Sequence, residues 1–314
     1  MRYAIAVDGG NSKTDVALVR EDGTVAGTAR GAGSSPFHLG VDGSLAVLEE
    51  LVRQTGAEVP VDVAELLLAG VDFPSEEEAV RTGIEQRGWA TQVSVDNDTF
   101  AVLRAGTDAG WGVAVVCGAG INCVGVAPDG TQARFRALGW TTGDWGGGGD
   151  LGREAVSAAA RSADGRGPTT SLERLVPAHF GLSTPDDLAE AFHFGRLDEW
   201  RAIELAPVVL AAAADDAVAA GLVDRLAREI VALVRAASKR LELKDADVVL
   251  GGGLMRGALL AAVLREIDSA QPTSASPILG AALLALDRLE VGPEAYAKAR
   301  AELGDTVPVG GRDG

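Results

Sequence analysis

Short apolar runs broken by glycine-rich polar turns open the chain. RYAIAVD (2–8), VALVRE (16–21) and VAGTAR (25–30) read as three short strands, with Gly9-Gly10 and Asp22-Gly23 between them. A Gly/Ser loop, GAGSSPFHLG, follows over 31–40, and leucine and valine at helical spacing predict a helix over 43–54. ELLLAGVD (65–72) reads as a buried strand. Ser75 with Glu78 predicts a capping box for a short helix that ends near Gly88. QVSVDND (92–98) is a further strand, ending in acids, and a short helix runs on to Gly106.

A second block starts at 111 with WGVAVVCGAGINCVGVAPDG, which has the same layout as YAIAVDGGNSKTDVALVREDG: apolar strand, glycine turn, apolar strand, Asp-Gly. The match predicts a half-fold used twice, and so two domains, 1–110 and 111–314. Two unrelated hairpins would give the same local pattern. ARFRALGW (133–140) reads as a strand and TTGDWGGGGDLG (141–152) as a long glycine loop. Alanine-rich helical sequence continues to about 243, with its strongest period over 217–241. ADVVLGGGLMRG (246–257) gives a strand, a glycine turn and a helix start, and PILGAALLALDRL (277–289) a final helix. The Pro/Gly-rich tail after Gly304 is expected to be loose. Strands alternate with helices in both halves, which places the chain in the α/β class.

Composition narrows the function classes. A length of 314 residues, 47% of them hydrophobic, fits about two domains with a large core. The net charge of −17 repels phosphate backbones and anionic membranes, so neither nucleic acid nor a membrane is an expected partner. No apolar run reaches the roughly 18–20 residues of a membrane span, and the N-terminus enters a strand pattern rather than a signal-peptide core, so a soluble cytoplasmic protein is expected. Cys117 and Cys123, with the scattered His38, His179 and His193, form neither a disulfide framework nor a zinc pattern.

Four glycine turns remain: 8–14, 118–122, 146–149 and 251–253. Glycine lets backbone N–H groups approach phosphate oxygens that a Cβ would keep away. GGNSKT is not a Walker A loop: it lacks the spacer and leads into a strand. Gly147, Gly149 and Gly152 match GxGxxG, but no buried strand precedes them. A tight hairpin explains each turn singly, whereas recurrence after apolar strands in both halves favours a polyphosphate held from two sides. Carboxylates stand beside these turns: Asp8 at the end of the first strand, Asp96 and Asp98 at the end of another, and Asp144 in the long glycine loop. Such acids suit Mg²⁺ or general-base work on a hydroxyl. Asp96 or Asp98 could equally cap the helix that starts at Thr99.

These segments together resemble the sugar kinase/Hsp70/actin superfamily and, within it, the BadF/BadG/BcrA/BcrD-type ATPases that include N-acetylglucosamine kinases. The resemblance spans about 3–289. It implies a duplicated ribonuclease H-like, actin-like ATPase fold, with two domains around a nucleotide cleft. It further implies ATP and Mg²⁺ as cofactors, a small-molecule sugar substrate and a homodimer. DGGNSKTD resembles the first phosphate motif, which assigns Asp8 to Mg²⁺ and Gly9, Gly10, Asn11, Ser12, Lys13 and Thr14 to the phosphates. NDTFAVLRAG resembles the segment with the catalytic aspartate and selects Asp98. CGAGINC resembles the second phosphate motif, with Gly118, Ala119 and Gly120 at the phosphates and Asn122 at the phosphate tail or sugar edge. GWTTGDWGGGGDLGREA resembles the sugar loop, placing Trp140 and Asp144 near the sugar. VVLGGGL resembles the adenosine motif, with Gly251, Gly252 and Gly253 against the nucleotide. Ser35 falls near a sugar-contacting asparagine of N-acetylglucosamine kinases. Ala119, Ile121 and Trp145 depart from the usual Thr, Ser and Glu.

The implied activity is ATP-dependent phosphorylation of a hydroxyl on a hexose or amino sugar. Two alternatives stay open: an ATP- or sugar-binding sensor with weakened catalysis, and a dehydratase-activating ATPase, which would need cluster-binding cysteines.

Overall fold

The computed structural model describes residues 1–304, so the expectation for the tail after Gly304 lies outside the described residues. The chain forms two compact units: one holds residues up to Gly112 and the chain from Thr273, and the other holds Val113–Pro272. The C-terminal segment therefore returns to the first unit, whereas the sequence pattern kept it in the second.

In the first unit, β1 (Tyr3–Gly9), β2 (Lys13–Arg20) and β3 (Val25–Ala32) form an antiparallel meander. It is followed by α1 (Pro36–Gln54), β4 (Val61–Leu68), α2 (Pro74–Arg87), β5 (Ala90–Asn97) and α3 (Thr99–Gly106). The sheet order is β3-β2-β1-β4-β5, with β4 parallel to both β1 and β5. Alternation sorts the side chains onto two faces. Ile5 and Val7 of β1, with Val16, Leu18, Leu66 and Leu68, pack on Leu45 and Leu48 of α1 and Val80 and Ile84 of α2. The opposite face carries Ala6, Asp8, Asp15 and Glu65.

The second unit contains β6 (Gly112–Cys117), β7 (Ile121–Val126), β8 (Gln132–Arg134), α4 (Gly147–Ala163), α5 (Leu172–His179), α6 (Pro185–His193), α7 (Ala206–Ala212) and α8 (Ala217–Arg240). It closes with β9 (Val248–Gly251), α9 (Gly257–Leu264) and β10 (Ala270–Pro272), in the sheet order β8-β7-β6-β9-β10. This is the order of the first sheet, so the duplication expected from the two glycine-turn blocks is present as matching topology. Its core joins Val113 and Val115 of β6 to Leu151 and Ala155 of α4 and Leu226 and Ile230 of α8.

After β10, α10 (Pro277–Arg288) and α11 (Pro293–Gly304) belong to the first unit. Arg288 of α10 pairs with the Glu65 carboxylate on the polar face of the first sheet and donates to the Ser94 hydroxyl. Arg104 of α3 donates to Asp287 of α10 at 2.9 and 3.1 Å. Gly280 lets α10 lie on the α3 backbone: a Cβ there would stand 1.8 Å from the Ala101 carbonyl oxygen.

Several local expectations shift. β4 begins at Val61, because VDVAELLL is buried almost throughout, and ends at Leu68, before Gly70 turns the chain at φ +77°. The Ser75–Glu78 capping box does not form. The helix starts at Pro74, and the Glu76 carboxylate takes the Asp72 and Phe73 N–H groups at 2.8 and 2.9 Å, while Glu78 pairs with Arg81. The expected strand over 133–140 stops at Arg134, and Ala137 has φ +53°. Helix α4 starts inside the expected glycine loop. Among the described residues no single helix is long and apolar enough to cross a membrane.

Candidate active site

The first-unit candidates gather at the ends of β1, β2 and β5. Gly10 N–H donates to the Lys13 carbonyl at 2.8 Å and closes the 9–14 hairpin. Gly9 is wedged in: a Cβ there would lie 2.4 Å from Leu68 Cδ2 and 2.6 Å from Ser34 Oγ. Thr14 is buried and its hydroxyl donates to Ser34 Oγ at 2.8 Å, so it fixes the hairpin to the chain leaving β3. Asn11, Ser12 and Lys13 are exposed. Lys13 Nζ donates to Asp15 at 2.8 Å, and Arg30 holds the other side of the same carboxylate.

Asp8 is 9% exposed, opposite Asp15 in the β1–β2 register. Burial first, and then the negative charge of Asp98, raise its carboxyl to about 7, against the pull of Lys13 and Arg30. Its charge is thus under-compensated, which fits a cation at this position. Among the described residues no cluster of three or more His, Cys, Asp or Glu forms a metal site.

Asp98 occupies the N-terminal boundary of α3; the residue is partly exposed, but desolvation of its carboxyl group raises it to about 6, against backbone N–H groups that favour the charge. The capping that sequence alone allowed for Asp96 or Asp98 is done by Asn97. Its Oδ1 accepts Thr99 N–H at 3.0 Å and the Thr99 hydroxyl at 2.7 Å, while its Nδ2 donates to Asp72 at 3.0 Å. Asn97 thereby ties the end of β5 to the segment after β4, next to the Asp98 whose charge acts on Asp8. Asp96 stands instead in the field of the Glu65–Arg288 pair. Ser35 is 1% exposed, and its hydroxyl is buried without a hydrogen-bond partner.

The second-unit candidates form their own group. Gly118 N–H donates to the Gly120 carbonyl at 2.9 Å, making the hairpin between β6 and β7. A Cβ on Gly118, Gly120 or Gly253 would meet nothing, so no packing within the protein requires glycine there. Their backbone is open to a ligand's approach. Gly252 is different: it has φ +95°, and a Cβ would stand 2.3 Å from the Cys117 carbonyl oxygen. Gly251 is buried in β9, paired with Val116. The first turn of α4 is joined to the hairpin by Gly148 N–H to Gly118 O at 2.8 Å and Gly149 N–H to Ala119 O at 3.0 Å. Gly147 lies against the Gly120 backbone and Gly152 against the Ala202 carbonyl, so these GxGxxG glycines serve close packing.

Trp140 is 92% exposed on a short 3-10 turn, Gly139–Thr141. Asp144 N–H returns to the Gly139 carbonyl at 3.0 Å, and its carboxylate accepts the Thr142 hydroxyl. Trp145 stands where the resembled motif has Glu, and the Arg225 guanidinium lies 3.8 Å over its ring. Asn122 lies on β7, its Oδ1 accepting Cys123 N–H at 2.7 Å. Cys117 and Cys123 are buried core residues with no disulfide, and burial pushes the Cys117 thiol up to about 12 and raises Cys123 as well. Neither is a ready thiolate ligand for a cluster.

Sequence reasoning missed Asp15, Arg30 and Asn97. Asn97 was signalled by Asn-Asp-Thr at a helix start; Arg30 becomes visible only once β3 is paired with β2.

Known proteins resemble the chain along most of its length. The family model described as the BadF/BadG/BcrA/BcrD ATPase family matches residues 5–285. The N-acetylmuramic acid/N-acetylglucosamine kinase of Clostridium acetobutylicum is 28% identical over 263 residues, covering 81% of this chain and 86% of that protein. The N-acetyl-D-glucosamine kinase of Dictyostelium discoideum is 27% identical over 311 residues, covering 90% and 97%. The solved structure of a putative N-acetylglucosamine kinase from Chromobacterium violaceum superposes with a TM-score of 0.74 at 27% identity, covering 90% of this chain and 99% of that one.

Proposed function

The chain belongs to the BadF/BadG/BcrA/BcrD ATPase family, and on that premise we propose that Asp98 is the catalytic base of an ATP-dependent amino-sugar kinase. The kinase activity itself follows from relatives of N-acetylglucosamine kinase type along most of the chain. The observation that carries the residue assignment is the Asp8–Asp98 pair. Two carboxylates with raised affinity for protons stand at the end of β1 and the start of α3: burial raises both, and the charge of Asp98 raises Asp8 further.

Asp98 is ionised at neutral pH and accepts the proton of a sugar hydroxyl. The freed oxygen bonds to the γ-phosphorus as the bond to the bridging oxygen breaks, and ADP leaves with that electron pair. Asn97 holds Asp98 in place through its grip on Thr99 and Asp72. Asp8 is the protein ligand for Mg²⁺, which when bound supplies positive charge to the phosphates. In the first unit the 9–14 hairpin, with Lys13, takes phosphate oxygens. In the second unit Ala119 and Gly120 do the same with backbone N–H groups, while Gly118, whose N–H closes the hairpin on the Gly120 carbonyl, lets the phosphates approach, and Gly251, Gly252 and Gly253 border the adenosine. Trp140 offers an exposed aromatic face to the apolar side of a sugar ring, and Asp144 and Asn122 offer hydrogen bonds to its hydroxyls. Ser35 of the first unit, with a buried hydroxyl that has no hydrogen-bond partner, is a further candidate for the sugar. The reaction belongs to the ATP-containing cytoplasm, and the enzyme is a homodimer, an assembly that sedimentation would test.

The test is ADP release with Mg²⁺ and ATP against N-acetylglucosamine, N-acetylmuramic acid, N-acetylmannosamine, glucosamine and glucose. Turnover with an N-acetylated sugar supports the assignment. ATP binding with no sugar-dependent ADP release from any of the five would favour a sensor.

A further inference from the structure

Asp15 and Arg30 have no part in the chemistry above, although Asp15 holds the Lys13 that does. Across the β2–β3 register Asp15 stands opposite Arg30, and across β1–β2 it stands opposite Asp8. All three side chains therefore leave the same face, and Lys13, two residues before Asp15 on β2, shares it. The Asp15 side chain is 8% exposed, whereas Lys13 and Arg30 are 53% and 54% exposed. Arg30 grips both carboxylate oxygens, Nε on Oδ1 at 2.5 Å and Nη2 on Oδ2 at 3.1 Å, and Lys13 Nζ adds a third contact at 2.8 Å. One buried carboxylate thus holds two cations. Burial alone would raise its pKa, yet hydrogen bonds from Arg30 and Lys13 hold it below the usual carboxylate range.

That redundancy has a use. For Lys13 to reach a phosphate it must leave Asp15. With no other partner, Asp15 would become a buried unpaired charge opposite a second carboxylate, which is strongly unfavourable. The two-point fork of Arg30 keeps Asp15 paired on its own. The geometry points to Arg30 as a positioning residue for nucleotide binding: it holds Asp15 so that Lys13 is free to move to the phosphate chain. This rests on the assignment of the 9–14 hairpin to ATP phosphates.

The experiment is calorimetric titration of Mg²⁺·ATP into the full-length protein, with a melting curve for each variant. Lys13→Met should weaken binding about tenfold or more. Arg30→Gln should weaken it by a similar factor, because Asp15 then retains Lys13. Lys13→Met/Arg30→Gln should bind no more weakly than Lys13→Met alone, since Arg30 acts through Lys13. Arg30→Gln/Asp15→Asn should return to within about threefold of the parent, because a neutral amide releases Lys13. A full loss with Lys13→Met and none with Arg30→Gln overturns the inference and leaves the hairpin assignment standing. A double variant weaker than Lys13→Met, or no recovery with Asp15→Asn, also overturns it and gives Arg30 a direct contact or a purely structural role. Parent-like affinity in Lys13→Met removes the hairpin assignment and the inference together.

Discussion

Asp98→Asn keeps the shape of the α3 start and removes only the proton acceptor. Because Asn97 accepts Thr99 N–H at 3.0 Å, that helix-cap bond survives the change. The expected result is a kcat lower by about 10²–10⁴ with ATP affinity within about threefold of the parent. Asp98 acts ionised, and its carboxyl is raised to about 6. The rate should therefore fall about tenfold per pH unit below pH 6 and level off above it, as a kcat/KM profile from pH 4.5 to 8 would show. Asp8 has the opposite use for the same physics. Its folded pKa of about 7 lies above the ordinary 3.8, so its stabilising contribution is full below the unfolded value and lost as pH rises through 7. In Mg²⁺-free buffer at pH 8, Asp8→Asn should be more stable than the parent by on the order of 2–4 kcal/mol, and the gap should narrow below pH 7 and close towards pH 4. A gap independent of pH would mean that Asp8 is not the strained carboxylate.

At the scale of elements, the two kinds of glycine in the second unit separate cleanly. Gly120→Ala places its Cβ in open space and should change stability by less than about 0.5 kcal/mol while weakening ATP binding about tenfold. Gly147→Ala meets the Gly120 backbone at 2.4 Å from a φ of +74° and should cost about 2 kcal/mol or more in denaturant melts. Equal effects of the two substitutions on binding and stability would contradict this division. The hairpins, their duplication and the run over 217–241 were legible because they follow from local alternation, turn glycines and helical period. What escaped is long-range. β10 is three residues, Ala270–Pro272, that become a strand only beside β9, and the start of α4 in glycine depends on backbone bonds to Gly118 and Ala119. The α2 cap moved because Pro74 fixes the first turn and Glu76 reaches back. Among the site candidates, the turn residues and Asp98 could be named from motif order, whereas Arg30 and Asn97 depend on pairing and on a bridge to Asp72.

At the scale of the molecule, the first unit is built from two distant stretches of sequence. Glu65 is buried and its ion partner, Arg288, arrives from α10. Arg288→Met leaves that carboxylate without its cation and should destabilise the first unit by about 3 kcal/mol, readable in urea melts. A fragment of residues 1–112 lacks α10 and α11 and should show no cooperative melt. The central claim is phosphoryl transfer to an amino sugar by Asp98. Mass spectrometry of the sugar after incubation with Mg²⁺ and ATP measures this most directly. The parent protein should convert N-acetylglucosamine or N-acetylmuramic acid to its monophosphate, and Asp98→Asn should give at least about 100-fold less. Phosphorylated sugar formed equally by Asp98→Asn, or ATP consumed with the sugar unchanged, would contradict it.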